Sequence, residues 1–201
     1  EGYDKGLIDC LGDKLEPQAL DGKNISVIRT NSKDQLAATV KFAHALGIMP
    51  VVLADFDYLL RDKSRQRDAY GARAHESVEQ IGAIPLKMMG DTDGSLFSRI
   101  QSIRVEIKRE QERLFYKAKM LSEFPEGTLR VKIESLIPDL RAIGIFILPT
   151  EIEGQFLDGH LLDGGKCTDE TIRKVRELES VELPVAIELN VLKSCIEYAL
   201  A

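Results

Sequence analysis

Residues 48–59 read IMPVVLADFDYL, an unbroken apolar run that ends in Asp55-Phe56-Asp57. Apolar residues at every position, without the alternation of a half-exposed strand, mark a strand buried on both faces, as in a helix-covered parallel sheet. A second run of this kind lies at 143–148 (IGIFIL), is stopped by Pro149, and leads to Glu151-Ile152-Glu153. Before the first run, 24–29 (NISVIR) is β-branched and predicts a strand. Residues 33–46 predict a helix that Ser32 can cap and Gly47 stops, with Leu36, Ala37, Val40, Ala43 and Leu46 on one face. Strand, helix, strand in this order predicts a βαβ unit and an α/β fold with a small parallel sheet between helices.

The middle of the chain has a different character. Residues 64–82 are polar and predict a helix, and 88–95 (MMGDTDGS) predict a turn. Residues 96–123 predict one long helix with Ile100, Ile103, Ile107, Leu114 and Leu121 at spacings of three, four and seven. Further helices are predicted at 5–15, 168–180 and 186–200. The expected organisation is an α/β core from 1–60 and 141–201, split by a mainly helical insertion over 61–140.

Composition narrows the function classes. The 201 residues include 33 acids and 27 Lys or Arg, for a net charge of -6, so a chain that coats nucleic acid by bulk positive charge is excluded. The charge is nonetheless polarised. Residues 61–73 hold Arg61, Lys63, Arg65, Arg67 and Arg73 against Asp62 and Asp68, and 99–119 hold seven bases against three acids. The first cluster begins just after the DxD, where phosphate contacts from Arg61, Lys63, Arg65 and Arg67 would give salt-dependent, sequence-blind affinity for DNA or RNA. The second reads equally well as a solvated helix face. Three cysteines without CxxC spacing predict neither a disulfide framework nor a zinc site and fit a reducing compartment, the cytoplasm. No apolar run reaches the roughly 18 residues of a membrane span. The chain opens on Glu1 rather than Met and reads as a piece of a longer protein.

Both apolar runs end in paired acids. In open parallel sheets, sites form at the C-terminal ends of strands, and residues two apart on an extended segment point the same way. Asp55 and Asp57 can therefore converge while Phe56 packs, and Glu151 and Glu153 can supply further carboxylates. Clustered carboxylates repel unless a cation neutralises them. Oxygen donors without His or Cys suit Mg2+ or Mn2+, ions that can orient a water and stabilise a leaving oxygen in phosphodiester chemistry. The ordinary alternative for such a DxD is a helix cap plus a turn acid.

Taken in order, EGYD (1–4), VVLADFDYL (51–59) and GIFILPTEIEGQFLD (144–158) resemble the toprim domain, the metal-dependent core shared by topoisomerases, primases and OLD-family nucleases. The ending EIEGQFLD is closer to OLD-like nucleases, and to related toprim proteins of bacterial antiphage systems, than to primases. The resemblance implies a Glu1 that acts as general base or metal ligand, Asp55 and Asp57 as Mg2+ ligands, and Glu153 completing the site with Glu151 as its rival. It implies helper roles for Asp4, Lys33 and Lys166. Two departures stand out: Lys5 occupies the place where many members carry a second acid, and Asn31-Ser32 replace the glycines expected before Lys33. The implied function is a Mg2+-dependent endonuclease in an ATPase-linked defence or repair system. No GxxxxGK[ST] motif is present, so the ATPase would be a domain or subunit outside this chain. Self-association is left open.

Two other readings compete. VVLADFDYL also matches the strand and DxD of haloacid-dehalogenase-like phosphatases, with Asp55 as nucleophile and Gly90-Asp91-Thr92-Asp93 resembling their late acidic motif. Against this, Leu59 stands where Thr or Val is usual, and Glu1 and Glu153 would be unexplained. The third reading is a non-catalytic toprim-like module whose helical insertion docks a partner.

Overall fold

A computed structural model describes residues 3–15, 19–28, 30, 33–56, 86–111, 124, 126–148, 173, 176–177 and 187–201. Its helices are α1 (Tyr3–Leu15), α2 (Ala19–Gly22), α3 (Lys33–Ala45), α4 (Ser95–Gln111), α5 (Thr128–Ala142) and α6 (Ile187–Leu200), and its strands are β1 (Val52–Ala54) and β2 (Ile145–Ile147). The chain divides into two compact units, Ser32–Ile147 and Glu1–Asn31 with Leu148–Ala201.

The first unit holds the sheet. β1 and β2 pair in parallel with Val52, Leu53 and Ala54 opposite Ile145, Phe146 and Ile147. All three β2 residues are buried, as expected of a continuous apolar run. α5 feeds β2 through Gly144, at φ 77°, whose carbonyl accepts the Val52 N–H at 2.9 Å and so opens the ladder. The buried faces of α4 (Ile100, Ile103, Ile107) and α5 (Ile133, Leu136, Leu140) share one hydrophobic core with Val52, Phe56, Ile145 and Ile147. Arg99 pairs with Asp139, and Lys132 with Glu106, so residue numbers rise on α4 as they fall on α5 and the helices run antiparallel. The described residues are thus mixed α/β, with a small parallel sheet among helices.

Three local expectations are corrected. Residues 25–28 do not form a strand. Asn24 adopts φ 55°, its N–H donates to the Asp21 carbonyl at 3.1 Å, and the Ile25 N–H reaches back to the Leu20 carbonyl at 2.8 Å. This closes α2 as a Schellman motif and takes up the start of the β-branched run. The expected βαβ through α3 is therefore replaced by a parallel pair whose crossover passes through α4 and α5. Third, Leu46 is 59% exposed and does not belong to the buried face of α3, which centres on Val40. Gly47 does end that helix by the same motif, at φ 73° with Ile48 N–H donating to the Ala43 carbonyl at 2.9 Å. The long helix predicted over 96–123 is seen as α4 as far as Gln111, and 112–123 and the helix predicted at 64–82 lie outside the described residues. Of 168–180, residues 173 and 176–177 are described, and they are helical.

In the second unit, α1 packs on α2 and α6. Gly12 permits the close approach of α2, since a Cβ there would sit 2.6 Å from Leu20 Cδ1. Lys23 Nζ donates to the Leu200 carbonyl at 2.9 Å and so satisfies the C-terminus of α6, where a cation is also favoured by the helix dipole. Burial raises the Cys10 thiol above its ordinary range, and the nearby Arg176 guanidinium opposes part of that rise.

Candidate metal centre

Asp55 follows β1 directly, so the parallel register brings it to the C-terminal edge of the strand pair, one residue beyond the Ala54–Ile147 pairing. Its position is fixed by its neighbours. Val52 is 3% exposed and Phe56 is fully buried, with Ala54 between them packed against the same core. The two-residue period of an extended strand then sets Leu53 and Asp55 on the opposite side. The Phe56 ring meets Phe124 edge to face, with centroids 5.8 Å apart and an interplanar angle of 72°. The expected packing of the residue between the two acids is what the structure contains. Asp55 itself is partly buried.

Glu1, Asp57, Glu151, Glu153 and Lys166 lie outside the described residues, as do Arg61, Lys63, Arg65 and Arg67. Asp4 lies in the first turn of α1 and Lys33 opens α3. Among the described residues, no group of three or more His, Cys, Asp or Glu side chains is arranged to hold a metal ion. The donor chemistry of Asp55, a carboxylate oxygen at the end of a parallel strand, fits a hard divalent cation.

A second acidic stretch has a different role from the one its sequence invites. Asp91 is 3% exposed. Its Oδ1 accepts the Leu96 N–H at 3.1 Å and the Ser95 hydroxyl at 3.4 Å, while Oδ2 accepts the Phe97 N–H at 3.0 Å. The carboxylate thus satisfies the open N–H groups of the first turn of α4 and complements its dipole. Asp93 accepts the Ser95 N–H at 2.9 Å, and this bond holds its carboxyl below the usual range. Gly90-Asp91-Thr92-Asp93 is therefore a helix anchor, and the likeness to a phosphatase's late acidic motif is explained by capping. A DxDGS stretch directly before an apolar helical pattern was the signal that could have identified it. Phe124 carries no comparable local signal.

Charge on α4 is also partly committed. Arg99 is bound to Asp139 and donates to Ser135 Oγ at 3.2 Å, and α5 carries its own Arg130–Glu134 pair at 2.8 Å. No helix among the described residues is long and apolar enough to cross a membrane.

The comparison with known protein families covers the segment that holds the first two motifs. Residues 1–57 match the family model described as overcoming lysogenization defect protein-like, TOPRIM domain. The matched segment runs from Glu1 through Asp57 and so contains both the leading Glu-Gly and the DxD. No curated protein and no solved structure matches the chain. Toprim domains of this kind point to a nuclease-type function in which acidic residues bind metal. Over residues 1–57 the chain is therefore similar to the OLD-like type of toprim domain.

Proposed function

We propose that the chain is a Mg2+- or Mn2+-dependent endonuclease domain that hydrolyses phosphodiester bonds in DNA or RNA. The observation that carries this reading is the coincidence of the family match with Asp55 at the C-terminal edge of a parallel strand, followed by the fully buried Phe56 ring. In this reading Asp55 and Asp57 bind the metal, and Glu153, or Glu151 in its place, completes the ligand set. Glu1 serves as general base or as a further ligand. The bound ion would polarise the scissile phosphate and lower the pKa of an attacking water. Asp4, Lys33 and Lys166 assist, and Arg61, Lys63, Arg65 and Arg67 hold the nucleic-acid backbone without reading its sequence.

The core of this domain would come from 1–60 and 141–201, with 61–140 as its helical elaboration. The chain would work in the cytoplasm as the effector part of an ATPase-linked defence or repair system, with the ATPase on another domain or subunit and self-association as a further partner mode. The capping role of Asp91 weakens the phosphatase alternative, which needs an acid there for chemistry rather than for a helix.

The test is direct. Plasmid DNA and a structured RNA are incubated with the purified chain and Mg2+ or Mn2+, with and without EDTA. The expected result is metal-dependent cleavage that falls by at least about 100-fold in Asp55→Ala and in Glu1→Ala, the scale on which acid–base and metal-bound groups act. Cleavage unchanged by both substitutions would refute the site. Metal binding without cleavage of either nucleic acid would favour the non-catalytic module.

A further inference from the structure

We propose that Phe124 is a positioning residue for Asp55, acting through its edge-to-face contact with Phe56. This deepens the metal-site reading above and rests on it. Phe56 is fully buried and Phe124 is 1% exposed, so neither ring has room to move without displacing its neighbour. Their centroids lie 5.8 Å apart at 72°, a geometry in which the edge of one ring faces the π-surface of the other.

Asp55 stands between Ala54, the last residue of β1, and Phe56. Its backbone is therefore held on one side by the ladder to β2 and on the other by the aromatic pair. Removal of the Phe124 ring leaves the first restraint intact and loosens the second. Phe124 lies outside the matched segment 1–57, in the stretch that leads into α5 at Thr128. The segment that follows α4 thus contributes to the order of the metal-binding turn without supplying a ligand, which makes Phe124 a determinant of metal affinity rather than a catalytic residue.

The experiment uses the full chain and Mn2+ alone as probe, with affinity read from the free-ion electron paramagnetic resonance signal and stability from thermal unfolding. Ile133→Ala is the control, because Ile133 is fully buried in the same core but is not part of the aromatic pair. Phe124→Ala is expected to weaken Mn2+ binding about tenfold, the lower end of what loss of an outer support costs a metal site. Phe124→Leu, which keeps most of the volume and protects against a variant that fails to fold, is expected to recover to within about threefold of the parent. Ile133→Ala should lower the melting temperature comparably while leaving Mn2+ affinity within about twofold, since its truncation cost is confined to the core. If Asp55→Ala weakens Mn2+ but Phe124→Ala does not, or if Ile133→Ala weakens it as much as Phe124→Ala, the positioning role is overturned and the metal site stands. If Asp55→Ala itself leaves Mn2+ affinity unchanged, the metal-site reading fails and the positioning role falls with it.

Discussion

Replacement of Asp91 tests whether the buried acid before α4 is an anchor or a reactive group. Its carboxylate receives two backbone N–H groups, from Leu96 at 3.1 Å and Phe97 at 3.0 Å, and the Ser95 hydroxyl at 3.4 Å. Asp91→Ala leaves both N–H groups without that acceptor next to Leu96, which is itself 8% exposed. Each buried donor left unsatisfied costs about 1–3 kcal/mol, and loss of a helix cap alone costs about 1 kcal/mol. These contributions overlap, and the desolvation of the carboxylate is relieved at the same time. The expected net loss is about 3 kcal/mol. With a urea slope of about 2 kcal/mol/M, the unfolding midpoint falls by about 1.5 M. Asp91→Asn keeps one carbonyl acceptor and should lose about half as much. Asp93→Ala removes the acceptor of the Ser95 N–H at an exposed turn and should move the midpoint far less. The assay is urea denaturation followed by far-ultraviolet circular dichroism at pH 7. A midpoint for Asp91→Ala within about 0.2 M of the parent, or a larger shift for Asp93→Ala, would refute the anchor, because cap losses are larger than that. The Asn variant adds a functional readout: folded Asp91→Asn is expected to keep metal-dependent cleavage, whereas a late catalytic acid of a phosphatase would lose its activity.

Two further predictions follow from backbone and burial. Gly90 sits at φ +124° with a would-be Cβ 3.2 Å from Ile143 Cγ2, whereas Gly47, at φ +73°, has open space around it. Gly90→Ala is expected to cost about 3 kcal/mol and Gly47→Ala about 1 kcal/mol, and equal urea midpoints for the two would contradict the conformational assignment. Desolvation pushes the Cys195 thiol up to about 12 from an ordinary value of 9.0. The unfolded chain therefore releases that proton in the window between the two values while the native chain retains it, so native stability falls as pH rises above about 9. Urea midpoints at pH 8 and pH 10.5 should show a shallower drop for Cys195→Ala than for the parent, and identical drops would exclude the contribution.

β2 was legible because burial on both faces demands apolar residues at every position, whereas β1 is shorter than the apolar run at 48–54 suggests and is buried only at Val52, with Ile48 and Met49 exposed. The third expected strand misled because β-branched residues at 25–28 report only a local preference. The outcome was decided by Asn24 entering the left-handed region and closing α2, a single-residue event that periodicity does not register. α5 was not resolved as a separate element, and Pro138 in its interior is the kind of residue that reads as a helix break. The five buried positions from Leu129 to Leu140 hold it together regardless. The place of Asp55 at a strand end was legible from the apolar run before it. Phe56 was legible because the alternation leaves it nowhere else to go. Phe124 was not, since its meaning depends on a ring 68 positions earlier in the chain. Asp91 was read for its charge, when the informative fact was the helix that starts four residues later.

The extent of the family match and the extent of the packing unit differ, and the difference has a physical consequence. The match ends at residue 57, yet the ladder before Asp55 and the ring contact after it both reach beyond it. β1 has its ladder partner at 145–147, its first N–H is received by Gly144, and Phe56 is held by Phe124. A three-residue parallel strand cannot be stable by itself, because its hydrogen bonds and its apolar cover must come from the returning strand and the crossover helices. In this chain the cover comes from α4 and α5, whose buried isoleucines and leucines share one core with Val52, Phe56 and Ile147. Asp55 is therefore carried by one part of the sequence and its strand is held in place by another. On the proposed function, divergence in 86–148 would retune the metal site without touching a ligand, and a fragment ending at residue 57 would keep the motif while losing the strand partner that positions Asp55.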